Sequence, residues 1–262
     1  MPNWVRNRLF FDDPHSKEIA DEYIVKDENG NYNFSLNKII PMPEELNIEL
    51  GSRSDDGLKL YFTKIQKELP AEEVERKLKL VEPNIIYNDR SEIFLSDEKI
   101  NELKEKYGQD FGKIEELGKK QVDNVEKYGY INWYKFCVDK WGCKWDGSNT
   151  TYDGRIITFD TPWSPPIPAI KALAEKFPNL RIGLIYSDEC LENGVGYYLM
   201  DKGKLYQEGM FPDQSKWAME FAIDLWDRKD DFRFDHNLDN FVLRKKRNHH
   251  ENEKPRNEME AS

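Results

Sequence analysis

The chain has 262 residues, 38% of them apolar and 13% aromatic, which supports a compact core and excludes a disordered protein. Charged residues make up 34%, and the net charge of −11 deepens to −13 over residues 1–243, where 46 acidic groups face 33 basic ones. Such a body repels nucleic acid at long range and favours basic partners. Cys137, Cys143 and Cys190 have neither the pairing of a disulfide framework nor the short spacing of a zinc site. No apolar run reaches the roughly 18 residues that cross a bilayer, and residues 1–9 lack a signal-peptide core. A reducing, cytoplasmic location is therefore expected.

Residues 3–11, NWVRNRLFF, alternate and then turn apolar, as a strand entering the centre of a sheet does. Asp12, Asp13 and Pro14 supply a turn and a helix start. Segments 22–26 and 32–36 flank Asn29-Gly30, the strongest hairpin signal in the chain, and predict a two-stranded ribbon. In 34–46, FSLNKIIPMPEEL, Pro41 and Pro43 break regular structure before a short helix at 44–46.

Residues 58–128 read as a helical insertion. Ile100, Leu103 and Tyr107, then Phe111, Ile114, Leu117, Gln121, Val125 and Tyr128, recur near the helical period, with Lys, Glu and Asp between them. Gly108, Gly112 and Gly118 weaken or separate these helices. A helix at 132–140 carries Trp133, Phe136, Cys137 and Lys140, and Asp153-Gly154 joins strands 148–152 and 155–160. A helix over 165–176 turns Ile167, Ile170, Leu173, Ala174 and Phe177 inward and stops at Phe177-Pro178-Asn179. Strands 180–187 and 195–201, joined at 192–194, complete the sheet, with an edge strand at 205–208. The last helix, 213–226, presents Trp217, Phe221 and Leu225, and a polar, flexible tail is expected beyond Asp235.

Four stretches occur in order: Pro2-Asn3-Trp4 with Asn7; NKIIPMPEEL at 37–46; Trp141-Gly142-Cys143-Lys144-Trp145-Asp146; and Thr161-Pro162-Trp163-Ser164-Pro165-Pro166. Together they resemble the Api92-like family, also called the YubB ferredoxin-like domain, of phage and plasmid genomes. Cys143 stands where the family usually has Thr, and Pro162 where it has Ala, which removes a backbone donor from a strand end. The resemblance implies an antiparallel sheet with helices on one face and a mobile-element origin. It brings no catalytic residues, so Trp141, Lys144, Trp145, Asp146 and Trp163 enter as motif residues with a structural part and no assigned chemistry.

Each constellation has two readings. Trp4, Trp133, Trp141, Trp145 and Trp163 either fill the core or form a platform on which single-stranded bases stack. Lys144 and Asp146 are either a general base with its partner or a structural ion pair. His15, His236, His249 and His250 lack metal-site spacing, and Gly194-Val195-Gly196 lacks the rest of a dinucleotide loop. The acidic pairs Asp55-Asp56, Glu72-Glu73, Glu115-Glu116 and Asp230-Asp231 are either solvated helix faces or an array that occupies a basic groove.

The expectation is an α+β fold: a ferredoxin-like antiparallel sheet with helices on one face, interrupted by a helical insertion. Its parts are residues 1–57, the insertion 58–128, residues 129–235, and a tail at 236–262. The sheet should contain both hairpins. The core should include Trp4, Leu9, Ile39, Trp141, Trp145, Phe159, Trp163, Ile170, Leu173, Phe177, Leu184 and Tyr198. No catalytic set, metal or cofactor is expected. The protein should bind a host protein with a basic surface, inhibiting a defence nuclease through Glu72, Glu73, Glu115 and Glu116; the alternative is a single-stranded nucleic-acid-binding module.

Overall fold

The computed structural model describes residues 3–12, 16–85 and 90–244. The expected turn at Asp13-Pro14, His15, and the tail with His249 and His250 lie outside them. β1 (Trp4–Phe11) buries Val5, Asn7 and Leu9 on one side and holds Arg6 and Arg8 half-buried on the other, the alternation its sequence predicts. After α1 (Ser16–Tyr23), β2 (Ile24–Lys26) and β3 (Tyr32–Phe34) form the ribbon expected at Asn29-Gly30. Gly30 takes φ +88°, and the Asp27 carboxylate accepts the N–H groups of Asn29 and Asn31 to lock the turn. This ribbon is a separate two-stranded sheet, which corrects the expectation that both hairpins join the main one. Its three-residue strands end where β3 runs into α2 (Leu36–Ile39), so its chain leaves before a longer ladder can form.

The helical segment comprises α3 (Ser52–Glu68), α4 (Ala71–Val81), α5 (Asp97–Tyr107) and α6 (Phe111–Tyr128), beginning at Ser52 rather than at residue 58. Leu58, Phe62, Ile65, Val74, Leu78, Val122 and Val125 form its own core, with Leu60, Leu103 and Ile114 in a smaller cluster.

Asn132 caps α7 (Trp133–Lys140), accepting the Lys135 N–H. β4 (Ser148–Tyr152) and β5 (Ile156–Pro162) follow as the second hairpin, then α8 (Ile167–Lys176), β6 (Ile182–Asp188), β7 (Gly196–Asp201) and β8 (Lys204–Met210). The six-stranded antiparallel sheet has the order β4-β5-β1-β6-β7-β8, so β1 is central as predicted. One face packs Leu9, Ile157, Phe159, Ile182 and Leu184 against Ile19 and Tyr23 of α1 and Ala169, Ile170 and Leu173 of α8.

α9 (Lys216–Leu225) lies against the other face. Asp224 pairs with Arg8, and the Trp226 indole donates to the Ser187 carbonyl and lies 4.2 Å under the Arg6 guanidinium. The buried side of α9 is Ala218, Met219, Ala222, Ile223 and Leu225, whereas Trp217 and Phe221 are exposed. The predicted stripe was thus turned by about one residue, because small alanines let this helix approach closely while the aromatics stand outside. Order also runs past Asp235: β9 (Phe232–Asp235) pairs with β10 (Asn240–Leu243). Phe232 and Phe241 of this hairpin pack under α9, which is what carries structure beyond the expected start of the tail.

Candidate functional site

The four motif stretches, far apart in sequence, meet at one corner of the sheet. Asp146 reaches back to the start of α2: its Oδ1 accepts the N–H groups of Leu36 (2.6 Å) and Asn37 (3.1 Å), and its Oδ2 accepts the Ser35 hydroxyl (3.1 Å). It therefore supplies an acceptor, from more than a hundred residues away, for orphan donors at the start of α2, where the NKIIPMPEEL segment begins. Burial pushes the Asp146 carboxyl up, and these three donors pull it part of the way back. The buried Trp141 indole donates to the Ile40 carbonyl (2.9 Å), a second clasp on the same segment.

The other two stretches close the ring. The Ser164 hydroxyl donates to the Gly142 carbonyl (2.6 Å), and the Trp163 N–H donates to the Asn3 carbonyl (2.8 Å). The buried Asn7 amide donates to Thr161 Oγ1 (2.8 Å), which in turn donates to the Ser164 carbonyl (2.8 Å). Gly142, at φ +90°, has Pro168 so close that a Cβ there would overlap its ring.

This clasp presents an aromatic face to solvent. Trp145, 41% exposed, and Trp163, 51% exposed, have ring centroids 5.8 Å apart, and Tyr134 of α7 beside them is 43% exposed. Trp163 holds φ +63°, a left-handed conformation that a bulky residue adopts only when its surroundings impose it. The Lys144 ammonium sits among four rings: 4.5 Å from the centroid of Trp145, 5.1 Å from Trp163, 5.7 Å from Tyr134 and 5.9 Å from Trp133. Each such contact contributes about 0.5–1 kcal/mol at exposed positions.

Two expectations are corrected here. Lys144 and Asp146 form no ion pair: the chain between them turns so that the ammonium faces the rings and the carboxylate faces α2. Trp145 and Trp163, placed in the core by their size, stand at the surface because the ammonium between them needs a hydrated edge. Trp141 is in the core as expected, with Leu9, Ile39, Phe159, Ile170, Leu173 and Leu184; Phe177 and Tyr198 are half-buried against it, and Trp4 is half-buried.

The four acidic candidates separate into two kinds. Glu115 pairs with Lys64 across the α3–α6 contact, and Glu73 forms a fork with Arg76, which also reaches Glu126. Glu72 and Glu116 are exposed and make no ion pair among the described residues. A separate concavity of about 450 Å³ lies beside α9, where Trp217, Phe221, Ile223 and Phe241 meet Glu220 and Asp224. Burial pushes the Cys137 thiol up to about 12 and Cys143 higher still, so these two are held as neutral thiols, whereas Cys190 is exposed. Among the described residues, no group of three His, Cys, Asp or Glu is placed to hold a metal ion, and no helix is long and apolar enough to cross a membrane. Of the Lys144 site the sequence shows only the adjacency of Lys144 and Trp145, and not the folding-back that brings Trp133, Tyr134 and Trp163 to it.

No curated protein matches this sequence. Among solved structures, a protein Api92 from Yersinia pseudotuberculosis is similar at 12% identity and a TM-score of 0.37, the alignment covering 82% of this chain and 100% of that one. Residues 140–229, which hold the Trp141–Asp146 clasp, β4 to β8 and α9, match the ferredoxin-like domain in Api92-like proteins, the family that the sequence motifs resemble.

Proposed function

We propose that the chain is a non-enzymatic protein-binding protein of a phage or other mobile element, and that it inhibits a host defence nuclease or a related nucleic-acid-binding complex in the host cytoplasm. The single observation that supports binding is the exposed Trp145–Trp163 pair, set on a hydrogen-bonded frame. Large aromatics held in place lose little entropy on docking and dominate the energy of protein interfaces. The acidic body adds direction, because it steers the protein toward a basic surface such as a nuclease groove. Glu72 and Glu116 are the candidates able to meet such a surface without first leaving a partner within the chain. The mobile-element origin rests on the family resemblance. The reading without catalysis is supported by Lys144 and Asp146, whose charges are engaged by rings and by backbone donors, and by the raised thiols.

The test is capture from host lysate by the full chain and by a Trp145→Ala/Trp163→Ala double variant. A host protein retained by the first and lost by the second supports the reading, and equal retention by both defeats it. A second reading, single-stranded nucleic-acid binding, is favoured by the same two rings lying beside the Lys144 ammonium. Oligonucleotide binding that persists at near-physiological salt and requires Trp145 would establish it in place of the inhibitor.

A further inference from the structure

We propose that Trp133, Tyr134, Trp145 and Trp163 form a cation-binding cage that Lys144 closes in the free chain, and that a Lys or Arg side chain of the basic partner takes its place on docking. This rests on the protein-binding reading and names the chemistry of the group that enters. Four rings from α7, from the 141–147 turn and from the end of β5 converge within 4.5–5.9 Å of one ammonium. The occupant is itself on display: the cage holds a primary ammonium, so its shape and the negative faces of its rings suit a cation of that size.

The occupant is also replaceable. Among the described residues no carboxylate pairs with the Lys144 ammonium, so only ring faces and water hold it. Its four-carbon stem can carry the charge out to solvent, where an ammonium is strongly hydrated. Three of the rings are exposed, giving an incoming side chain a route that does not require the fold to open. The strained Trp163 backbone is consistent with a ring held at a required position rather than one that merely fills space. A partner's guanidinium has an advantage over Lys144, because it is less hydrated and stacks on indole faces. The exchange also leaves the Lys144 charge at the rim, so a carboxylate of the partner beside the entering Arg or Lys would complete the pairing.

The test needs no partner, which separates it from the capture experiment. Lys144→Ala empties the cage and Lys144→Gln keeps the stem while removing the charge; both are titrated with tetramethylammonium chloride against sodium chloride at equal ionic strength, following tryptophan fluorescence. The expected result is a saturable response to tetramethylammonium in at least one folded variant, with half-saturation at least about tenfold below that of the unaltered chain, whose tethered lysine competes. Adding Trp145→Ala should abolish it. Responses identical in the two salts for both variants, or a half-saturation unchanged from the unaltered chain, would overturn the cage. If the cage holds and capture from lysate still fails, the protein-binding reading falls and the cation site stands.

Discussion

Gly57 of α3 and Gly118 of α6 touch backbone to backbone: a Cβ on Gly118 would overlap the Gly57 carbonyl, and one on Gly57 would overlap the Ile114 carbonyl. Glycine in a helix interior ordinarily costs about 1 kcal/mol relative to alanine, so its presence in both helices at the same point marks a crossing where no side chain fits.

Gly118→Ala should therefore destabilise the protein by about 3 kcal/mol, since the obstacle is backbone and cannot rotate aside. Gly112, in the same helix with nothing near its position, is the control: Gly112→Ala should gain up to about 1 kcal/mol. Urea denaturation of the two variants decides the matter, and a neutral Gly118→Ala would mean that the helices do not cross there.

Arg6 joins the face of the sheet that α9 covers to the end of that helix. Its Nε and Nη2 donate to the two carboxylate oxygens of Asp160 (2.8 and 3.0 Å), while its guanidinium stacks on Trp226. Arg6→Ala leaves the buried Asp160 with only the Asn149 amide and should cost about 3 kcal/mol. Arg6→Lys keeps the charge but not the fork or the flat stacking surface, so it should recover only part of that loss. Full recovery by lysine in thermal melts would reduce the contact to simple charge attraction.

Period-two alternation made β1 legible, and the Asn-Gly and Asp-Gly turns made both hairpins legible, because these signals are local. What stayed hidden depends on distance. Lys144 and Asp146 look like a pair when read along the chain, yet the carboxylate serves Leu36 and Asn37 while the ammonium serves rings contributed by three segments. Size alone places large aromatics in the core, a rule that fails at Trp145 and Trp163. For α9 the informative residues were Ala218 and Ala222, whose smallness lets the helix approach and whose periodicity the neighbouring Trp217 and Phe221 mask. The acidic pairs likewise gave no sign that Glu73 and Glu115 are already engaged by Arg76 and Lys64.

Asp146 gives a pH dependence with a definite sign. Burial raises its carboxyl above the ordinary 3.8, so the native state holds the proton more tightly than the unfolded chain. Its contribution is then greatest below pH 3.8 and declines as pH rises through the raised value. Asp146→Asn keeps an acceptor for Leu36 and Asn37 and does not titrate. The stability of the unaltered protein relative to this variant should fall as pH rises above 3.8 and through that raised value. Asp146→Ala should lose about 2 kcal/mol over the same range through the missing cap. A difference between Asp and Asn that grows with pH would show that the hydrogen bonds outweigh burial.

Trp163 separates the demands of backbone and ring. At φ +63° any residue with a Cβ meets the left-handed penalty of about 1–2 kcal/mol, whereas glycine does not. Trp163→Ala and Trp163→Gly both remove the indole, its tilted contact with Trp145 and its share of the Lys144 ammonium. They differ in whether the strain remains. Trp163→Gly should therefore be more stable than Trp163→Ala by about 1 kcal/mol, reversing the usual order of the two residues. Both variants keep the N–H that donates to the Asn3 carbonyl, so that bond does not bias the comparison. Denaturation curves for the pair measure the strain directly, and an alanine variant as stable as the glycine variant would show that the backbone at 163 is relaxed and that its conformation is not maintained for the sake of the ring.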